Sequence, residues 1–249
     1  MTQAATTAVR NDASPSDEAG TWDLRDLYAG PDHPQIDSDL AWAGEAAKVF
    51  RAEFAGNLAA LSGAALAAAI ARYETIVERL HKLLSYAQLS FSAEMATPER
   101  GRFLQDMQER CNDISTETLF FLLELNKLDE ATVDAQLADP AALRWASWVR
   151  DSRMYRPHQL EDDMERLLHD KSVTGAGAWM RLFDQTISDL RFDVGGERLT
   201  LADTLNRFDS PYGEIRRTAA KALGAGLEAN IGIFSLIVNT LAKDKEIED

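Results

Sequence analysis

The sequence has one cysteine and few basic residues for its length. Cys111 is the only cysteine among 249 residues, so no internal disulfide can form and a reducing, cytoplasmic compartment is expected. Lysine and arginine total 26 against 41 aspartate and glutamate, which leaves a formal net charge of −15. Because phosphate groups are bound by clustered cations, this balance argues against nucleic acid and against an anionic membrane surface as partners.

Long apolar runs are missing as well. No stretch approaches the ~20 apolar residues that a membrane-spanning helix needs. The first twenty residues, MTQAATTAVRNDASPSDEAG, lack the apolar centre of a signal peptide. They are small and polar and include proline, which is the composition of a disordered tail. We therefore predict a tail over 1–20 and a single folded lobe over 21–249, with no contact to a membrane.

Two long segments have apolar residues at alternating spacings of four and three, a pattern typical of packed helices. The first seam is Leu66, Ile70, Tyr73, Val77, Leu80, Leu84, Ala87 and Phe91. The second seam is Phe103, Met107, Cys111, Ile114, Thr118, Phe121 and Leu125. Thr97 and Pro98, an N-cap residue and a proline at the first helical position, separate them. The pattern predicts an antiparallel helical hairpin over 62–126, in which Cys111 is a buried structural thiol.

The rest of the chain is predicted to be helical apart from one short hairpin. Shorter helices are expected over 130–188, and a last long helix over 211–247. Between them, LRFDVGGERLTL has two alternating runs around a Gly-Gly pair, which predicts a β-hairpin at about residues 190–201. Glycines at 213, 224, 226 and 232 indicate that a neighbouring element packs closely on the last helix. The predicted fold class is mainly α, a multi-helix lobe of long antiparallel helices with one small β-hairpin.

One stretch, HQLEDDMERLLHD at 158–170, raises the question of a metal site. Glu161, Glu165 and His169 are four residues apart and would form one stripe on a helix. The projection places this stripe away from the apolar face formed by Leu160, Met164, Leu167 and Leu168, so we predict that it faces solvent. A zinc site needs ligands that converge, usually in a cleft. The acidic first turn is explained more simply by its favourable interaction with the helix dipole.

Other chemical motifs are weak or missing. Glu78 and His81 form an E-x-x-H unit, but a di-iron bundle needs two such units and two further glutamates. The sequence contains no H-E-x-x-H, no phosphate-binding loop of the Walker type and no G-x-S-x-G. We therefore assign no catalytic residue and no metal ligand, and the residues that bind substrate are left undetermined.

Three segments, taken in order, carry a resemblance to a known family. They are WDLRDLY near the start, SRMYRPHQLEDDMERLLHDKSVTGAGAWMRLFDQTISDLRF in the middle, and RFDSPYGEIRRTAAKALGAGLEANIGIFSLIVNTLAKDK at the end. The positions involved are Trp22, Asp23, Leu24, Leu27, Tyr28, His158, Leu160, Glu165, Leu167, Leu168, Trp179, Phe183, Arg216, Arg217 and Asn239. Their order and spacing resemble the N-terminal portion of the oligoendopeptidase F family, M3-type zinc metallopeptidases that cleave short peptides.

The resemblance implies a longer protein whose chemistry lies elsewhere. Family members are more than twice this length, and their H-E-x-x-H helix and third glutamate ligand lie beyond the region that this chain resembles. There, zinc polarises the scissile carbonyl and a glutamate takes the proton of the attacking water. The helical lobe forms one wall of a channel that admits oligopeptides. We expect the 249 residues alone to bind no zinc and to be inactive without the catalytic domain.

Two alternatives remain open. Helical patterning still runs at the last residues, FSLIVNTLAKDKEIED, without a C-cap, which favours a chain that continues. If it does not continue, the chain is a complete, non-catalytic helical bundle that serves as an interaction module. A weaker alternative is a bundle enzyme with a metal at Glu78, His81, or the stripe of Glu165 and His169.

Overall fold

The computed structural model describes residues 23–95 and 97–248. The predicted tail over 1–20 and Trp22 of the family motif lie outside these residues. The α-helices are α1 (Pro34–Phe54), α2 (Gly63–Ala93), α3 (Pro98–Thr116), α4 (Leu119–Lys127), α5 (Glu130–Leu137), α6 (Ala146–Arg153), α7 (Asp162–Lys171), α8 (Ala176–Asp189), α9 (Leu201–Asn206), α10 (Gly213–Ala229) and α11 (Ile231–Glu248). Strands β1 (Phe192–Val194) and β2 (Glu197–Leu199) form the one described sheet. The predicted fold class, mainly α with one small hairpin, is confirmed.

Helices α1, α2 and α3 pack against one another and form the centre of a continuous core. Every residue of the two predicted apolar seams is buried or half-buried. Phe50 of α1 is fully buried, and its ring centroid lies 5.0 Å from that of Phe54 and 5.2 Å from that of Phe121. We call the buried core and its helices, residues 28–149, the N-terminal bundle.

A buried carboxylate ties the start of the chain to this bundle. Asp39 accepts hydrogen bonds from the Tyr28 hydroxyl at 2.7 Å and from Gln35 Nε2 at 2.8 Å, and it pairs with Arg79. The Tyr28 ring packs edge-on against Tyr86, with centroids 5.2 Å apart. Burial acts to raise the pKa of Asp39, but these hydrogen bonds and the Arg79 charge outweigh it and hold the pKa below its usual value.

The second helix of the predicted hairpin is broken, which corrects its extent. The pattern predicted one helix to residue 126, whereas α3 ends at Thr116 and α4 begins at Leu119. Thr118 has φ −101° and ψ −6°, and its hydroxyl donates to the Ser115 carbonyl at 3.0 Å. A side chain that bonds to nearby backbone competes with the regular helical pattern. The apolar spacing continues through the break, so periodicity alone did not predict it.

The last helix, predicted over 211–247, is also two helices. Helices α10 and α11 meet at Asn230 and bend by 64°. The Asn230 side-chain amide donates to the Gly226 carbonyl at 2.9 Å, which occupies the acceptor that a continuous helix would give to the backbone N–H of residue 230. Among the described helices no single one is long and apolar enough to span a membrane; α10 and α11 together have that length and composition, with the bend between them.

The β-hairpin agrees with its prediction. Phe192 pairs with Leu199 and Val194 with Glu197, and Gly195 and Gly196 take the positive φ values of 66° and 93° that the tight turn requires. Phe192, Val194 and Ala219 of α10 form a second, small core.

The predicted close packing at the four helical glycines holds at one of them. A Cβ atom added at Gly226 would lie 2.6 Å from the Phe192 ring, whereas Gly224 and Gly232 have open space around them and Gly213 has only the Arg216 side chain, at 3.8 Å. We call residues 160–247, which contain this second core, the C-terminal region. It contacts the N-terminal bundle through α7, which packs on α3 and α4, and through Arg181 of α8, which donates to Gln108 of α3; α8 itself packs on α11.

Candidate functional site

A cavity of about 630 Å³ opens between the hairpin of α2 and α3 and the helices α7 and α8. Its apolar wall consists of side chains from three helices and the loop after α7: Tyr73, Val77, Leu80, Leu84, Leu104, Leu119, Leu122 and Val173. Its polar wall consists of His81, Gln88, Gln108, Cys111, Asn112, Ser115, Thr118, His169, Ser172 and Arg181. The volume lies within the range of about 300–1,000 Å³ that small-molecule sites occupy.

Helix α7 packs with the opposite face to the one predicted, and this places His169 in the cavity. His169 is half-buried, and its Nε2 atom lies 2.8 Å from Ser115 Oγ. The next residue, Asp170, accepts a hydrogen bond from the Thr116 hydroxyl at 2.8 Å. Most of the predicted inward face is exposed instead, with Leu160 at 42 %, Met164 at 49 % and Leu167 at 53 %, while Leu168 is half-buried. The prediction that His169 faces solvent was therefore wrong.

The polar face of α7 packs inward because the surface of α3 beneath it is itself polar. That surface offers hydroxyl and amide groups from Asn112, Ser115 and Thr116, which bond to polar groups of α7 and the turn after it. A polar surface is satisfied by polar partners, because an unpaired buried polar group costs ~1–3 kcal/mol. The projection assumed that an apolar face packs on the core, and it could not include the polar side chains of a distant helix.

The former metal candidates do not converge. Glu165 Oε1 accepts the backbone N–H of Leu160 at 2.8 Å, so it supports the start of α7, and Glu161 is exposed. Glu78 and His81 are exposed on α2. In the part of the chain that the structure describes, no three His, Cys, Asp or Glu side chains are placed to hold a metal ion. These residues do not fit the zinc that the family resemblance implies for the whole protein.

The cavity also lacks an activated nucleophile among its described residues. Cys111 is buried, and burial raises the pKa of its thiol to about 12, so the thiol stays protonated at neutral pH. The Ser115 hydroxyl lies within hydrogen-bond distance of two groups, the Asn112 carbonyl at 2.9 Å and His169 Nε2 at 2.8 Å. The Asn112 carbonyl therefore competes with the imidazole for the one hydroxyl proton.

Arg181 of α8 brings a positive charge to the polar wall. Its Nη1 donates to Gln108 Oε1 at 2.8 Å, and Nη2 lies 3.4 Å from the Val173 carbonyl oxygen. Sequence reasoning missed this residue and Gln108, because they are 73 positions apart and neither belongs to a local motif.

The described residues of the family motif lie outside the cavity. Phe183 packs on Phe234 of α11, with ring centroids 5.8 Å apart. Arg216 donates to the Ser210 carbonyl at 2.7 Å and Arg217 pairs with Glu214 at 2.8 Å, so both stabilise the start of α10. His158 and Asn239 are also exposed. These residues mark the fold of the lobe and do not form one site.

Comparisons with known proteins agree with this fold. Residues 124–192 match the N-terminal M3 peptidase family model described as Oligopeptidase F. The fold resembles that of oligoendopeptidase-F from Enterococcus faecium, with a TM-score of 0.73 and 17% identity over 86% of this chain and 43% of that chain. A putative peptidase from Chlamydophila abortus is similar with a TM-score of 0.50 and 17% identity over 92% of this chain and 39% of that chain. No curated protein sequence matches significantly.

These matches show a similar fold over most of the chain and a likeness to the family over one segment. The predicted resemblance to the N-terminal portion of oligopeptidase F is confirmed by the family match over 124–192, and the fold is similar to that of oligoendopeptidase-F over most of the chain. The matched family segment includes the whole of α7 and α8 and therefore His169 and Arg181 of the cavity. The chain spans less than half the length of the two structures that it resembles.

Proposed function

We propose that this chain is the N-terminal substrate-channel lobe of an oligoendopeptidase F-like zinc metalloendopeptidase that hydrolyses short peptides in the cytoplasm. The observation that carries the proposal is the fold shared with oligoendopeptidase-F from Enterococcus faecium over 86% of this chain, together with the family match over 124–192. The single cysteine supports the compartment.

The cavity between α2, α3, α7 and α8 supplies the surface that a peptide would contact. An oligopeptide presents amide donors and acceptors as well as side chains, and both kinds of group need partners once water is displaced. Gln88, Gln108 and Asn112 carry donors and acceptors, while the leucines opposite them cover apolar side chains. In this role the lobe binds and orients the peptide and excludes water from part of it.

The zinc chemistry is assigned to residues outside this chain. The described side chains offer no converging set of zinc ligands, and the cavity has no activated nucleophile among them. When bound in the catalytic domain, zinc would polarise the scissile carbonyl. The lobe described here would hold the substrate against that domain.

Reading the gene beyond the codon for Asp249 tests the proposal directly. An in-frame H-E-x-x-H downstream supports it, because that motif carries two zinc ligands and the glutamate base on one helix face. A stop codon at that position contradicts it and favours the alternative, a complete helical-bundle interaction module. The exposed apolar side chains of the C-terminal region are the observation that favours the alternative, since such surfaces mark contacts with other proteins.

A second test uses the purified 249-residue chain. We expect no stoichiometric zinc by elemental analysis and no cleavage of a quenched fluorescent peptide. A longer polypeptide that also contains the downstream part of the gene product should bind zinc and cleave the peptide. Tight zinc binding by the 249 residues themselves would contradict the proposal that the zinc site lies outside this chain.

A further inference from the structure

The cavity differs in charge from the rest of the chain. The sequence carries 41 acidic residues and a formal net charge of −15, yet no aspartate or glutamate is among the described residues that line the cavity. Its charged or ionisable nitrogen groups are the guanidinium of Arg181 and the imidazoles of His81 and His169. In an acidic protein, an opening without carboxylates favours an anionic ligand over a cationic one.

Arg181 is half-buried and is held only by neutral groups within the described part of the chain. Its partners are the Gln108 side-chain oxygen at 2.8 Å and the Val173 carbonyl at 3.4 Å. Arg153, a buried arginine, makes a useful comparison, since it pairs with Glu130 at 2.6 Å. A guanidinium has five N–H donors, so Arg181 keeps donors for an incoming acceptor.

We propose that Arg181 binds the carboxyl-terminal carboxylate of a short apolar peptide lying in this cavity. The inference rests on the proposed function, because it names which part of the peptide the lobe recognises. A guanidinium pairs with a carboxylate through two parallel hydrogen bonds. The leucines at 84, 104 and 122 form an apolar wall that an inorganic anion would leave uncovered, whereas peptide side chains beside the terminal carboxylate would cover it.

Binding of paired peptides to the 249-residue chain tests the proposal. The probes are an N-terminally labelled Leu-Ala-Leu-Leu peptide as the free acid and as the C-terminal amide, with affinity read from fluorescence anisotropy. We expect the acid to bind about tenfold more tightly, since a hydrogen bond to a charged group is worth roughly this factor or more. In Arg181→Gln the ratio of the two affinities should fall to about one.

A matched control makes the same arginine-to-glutamine substitution at a position outside the cavity. Arg166 of α7 is exposed and does not line the cavity, so Arg166→Gln should keep the tenfold preference. Arg181→Lys retains a positive charge without the planar fork and should leave a smaller preference of about threefold. Circular dichroism identifies any variant that does not fold, and Arg181→Lys then serves in place of Arg181→Gln.

The outcomes separate this inference from the proposed function. Equal binding of acid and amide, or an unchanged preference in Arg181→Gln, overturns the role of Arg181 and leaves the peptide channel in place. If N-acetylphenylalanine binds in an Arg181-dependent way and neither peptide does, the carboxylate site stands and the peptide role fails. If neither the peptides nor N-acetylphenylalanine bind, the inference is overturned, while the downstream gene sequence still decides the proposed function.

Discussion

The N-terminal bundle and the C-terminal region both consist of amphipathic helices, but they bury very different amounts of apolar surface. In the bundle, one continuous core extends from Tyr28 to Val149. In the C-terminal region the described core is the small cluster around Phe192, Val194 and Ala219. Large apolar side chains stay exposed there, among them Met180 at 59 %, Leu236 at 55 % and Val238 at 59 %.

The difference follows from the number of neighbours that each helix has. Helices α1, α2 and α3 pack on one another, so each apolar face meets a partner. Helices α8 and α11 pack mainly as a pair, which leaves a second apolar face of each directed outward. A region with few buried apolar contacts unfolds locally at a lower cost in free energy than a region with a complete core. The stability of this chain should therefore depend mainly on the bundle.

The largest expected effect comes from removing a core ring. Phe50→Ala should lower the free energy of unfolding by ~3–5 kcal/mol, because Phe50 is fully buried among other aromatic rings. Phe183→Ala in the C-terminal region should cost less than ~1 kcal/mol, since Phe183 is 41 % exposed. Urea denaturation followed by circular dichroism measures both. Equal losses would contradict the contrast between the two regions.

The buried carboxylate of the bundle gives the next effect and a dependence on pH. Asp39→Asn should cost ~1–3 kcal/mol at pH 7, because the charged hydrogen-bond acceptor for Tyr28 and Arg79 is lost. The pKa of Asp39 is lower in the folded protein than in the unfolded chain. The stabilisation that the carboxylate provides is therefore fully present above the pKa of the unfolded chain, and it is lost as the pH falls through the pKa of the folded protein.

Urea denaturation between pH 7 and pH 3 checks this second prediction. The difference in the free energy of unfolding between the wild type and Asp39→Asn should become smaller below about pH 4. Asp37→Asn is a control on the same helix, since its side chain is 79 % exposed and a surface pair with Arg110 contributes little. If this difference became larger in acid, the ionised Asp39 carboxylate would not be the stabilising form.

Two glycines of α10 give effects of opposite sign in the C-terminal region. Gly226→Ala should destabilise by ~1–3 kcal/mol, because the new methyl group would overlap the Phe192 ring of the small core. Gly224→Ala, two residues earlier with open space around it, should stabilise the helix by ~0.5–1 kcal/mol. Thermal unfolding of the two variants measures the difference. Stabilisation by both would mean that Phe192 does not pack on α10.

The smallest effect on stability is expected on the exposed face of α7. Leu167→Gln should change the free energy of unfolding by less than ~0.5 kcal/mol, since the side chain is 53 % exposed. It should nevertheless reduce binding of a hydrophobic dye and self-association measured by light scattering, because it interrupts an exposed apolar surface. A large loss of stability would show that this face is covered in solution.

Much of the fold could be predicted from spacing alone. The seams of α2 and α3, the Gly-Gly hairpin and the buried Cys111 follow from local periodicity and turn chemistry, which act between neighbours in the sequence. The breaks at Thr118 and Asn230 could not be predicted this way, because in both a side chain replaces a helical interaction without interrupting the apolar pattern.

The candidate site was much less predictable. The sequence directed attention to the stripe of Glu161, Glu165 and His169, of which only His169 reaches the cavity. The pairing of Arg181 with Gln108 and of His169 with Ser115 depends on how α7 and α8 rest on α3. Such contacts join residues more than fifty positions apart, where no periodic signal relates them.

The sequence by itself determined which segments are helical, where the hairpin turns, and which family the chain resembles, because these depend on local order along the chain. Only the tertiary structure decided that α7 turns its polar face to α3, that Met164 and Leu167 are exposed, and that an acidic chain has a cavity without carboxylates. Those features arise when side chains from separate helices meet, and the free energy of such contacts is decided by both partners together.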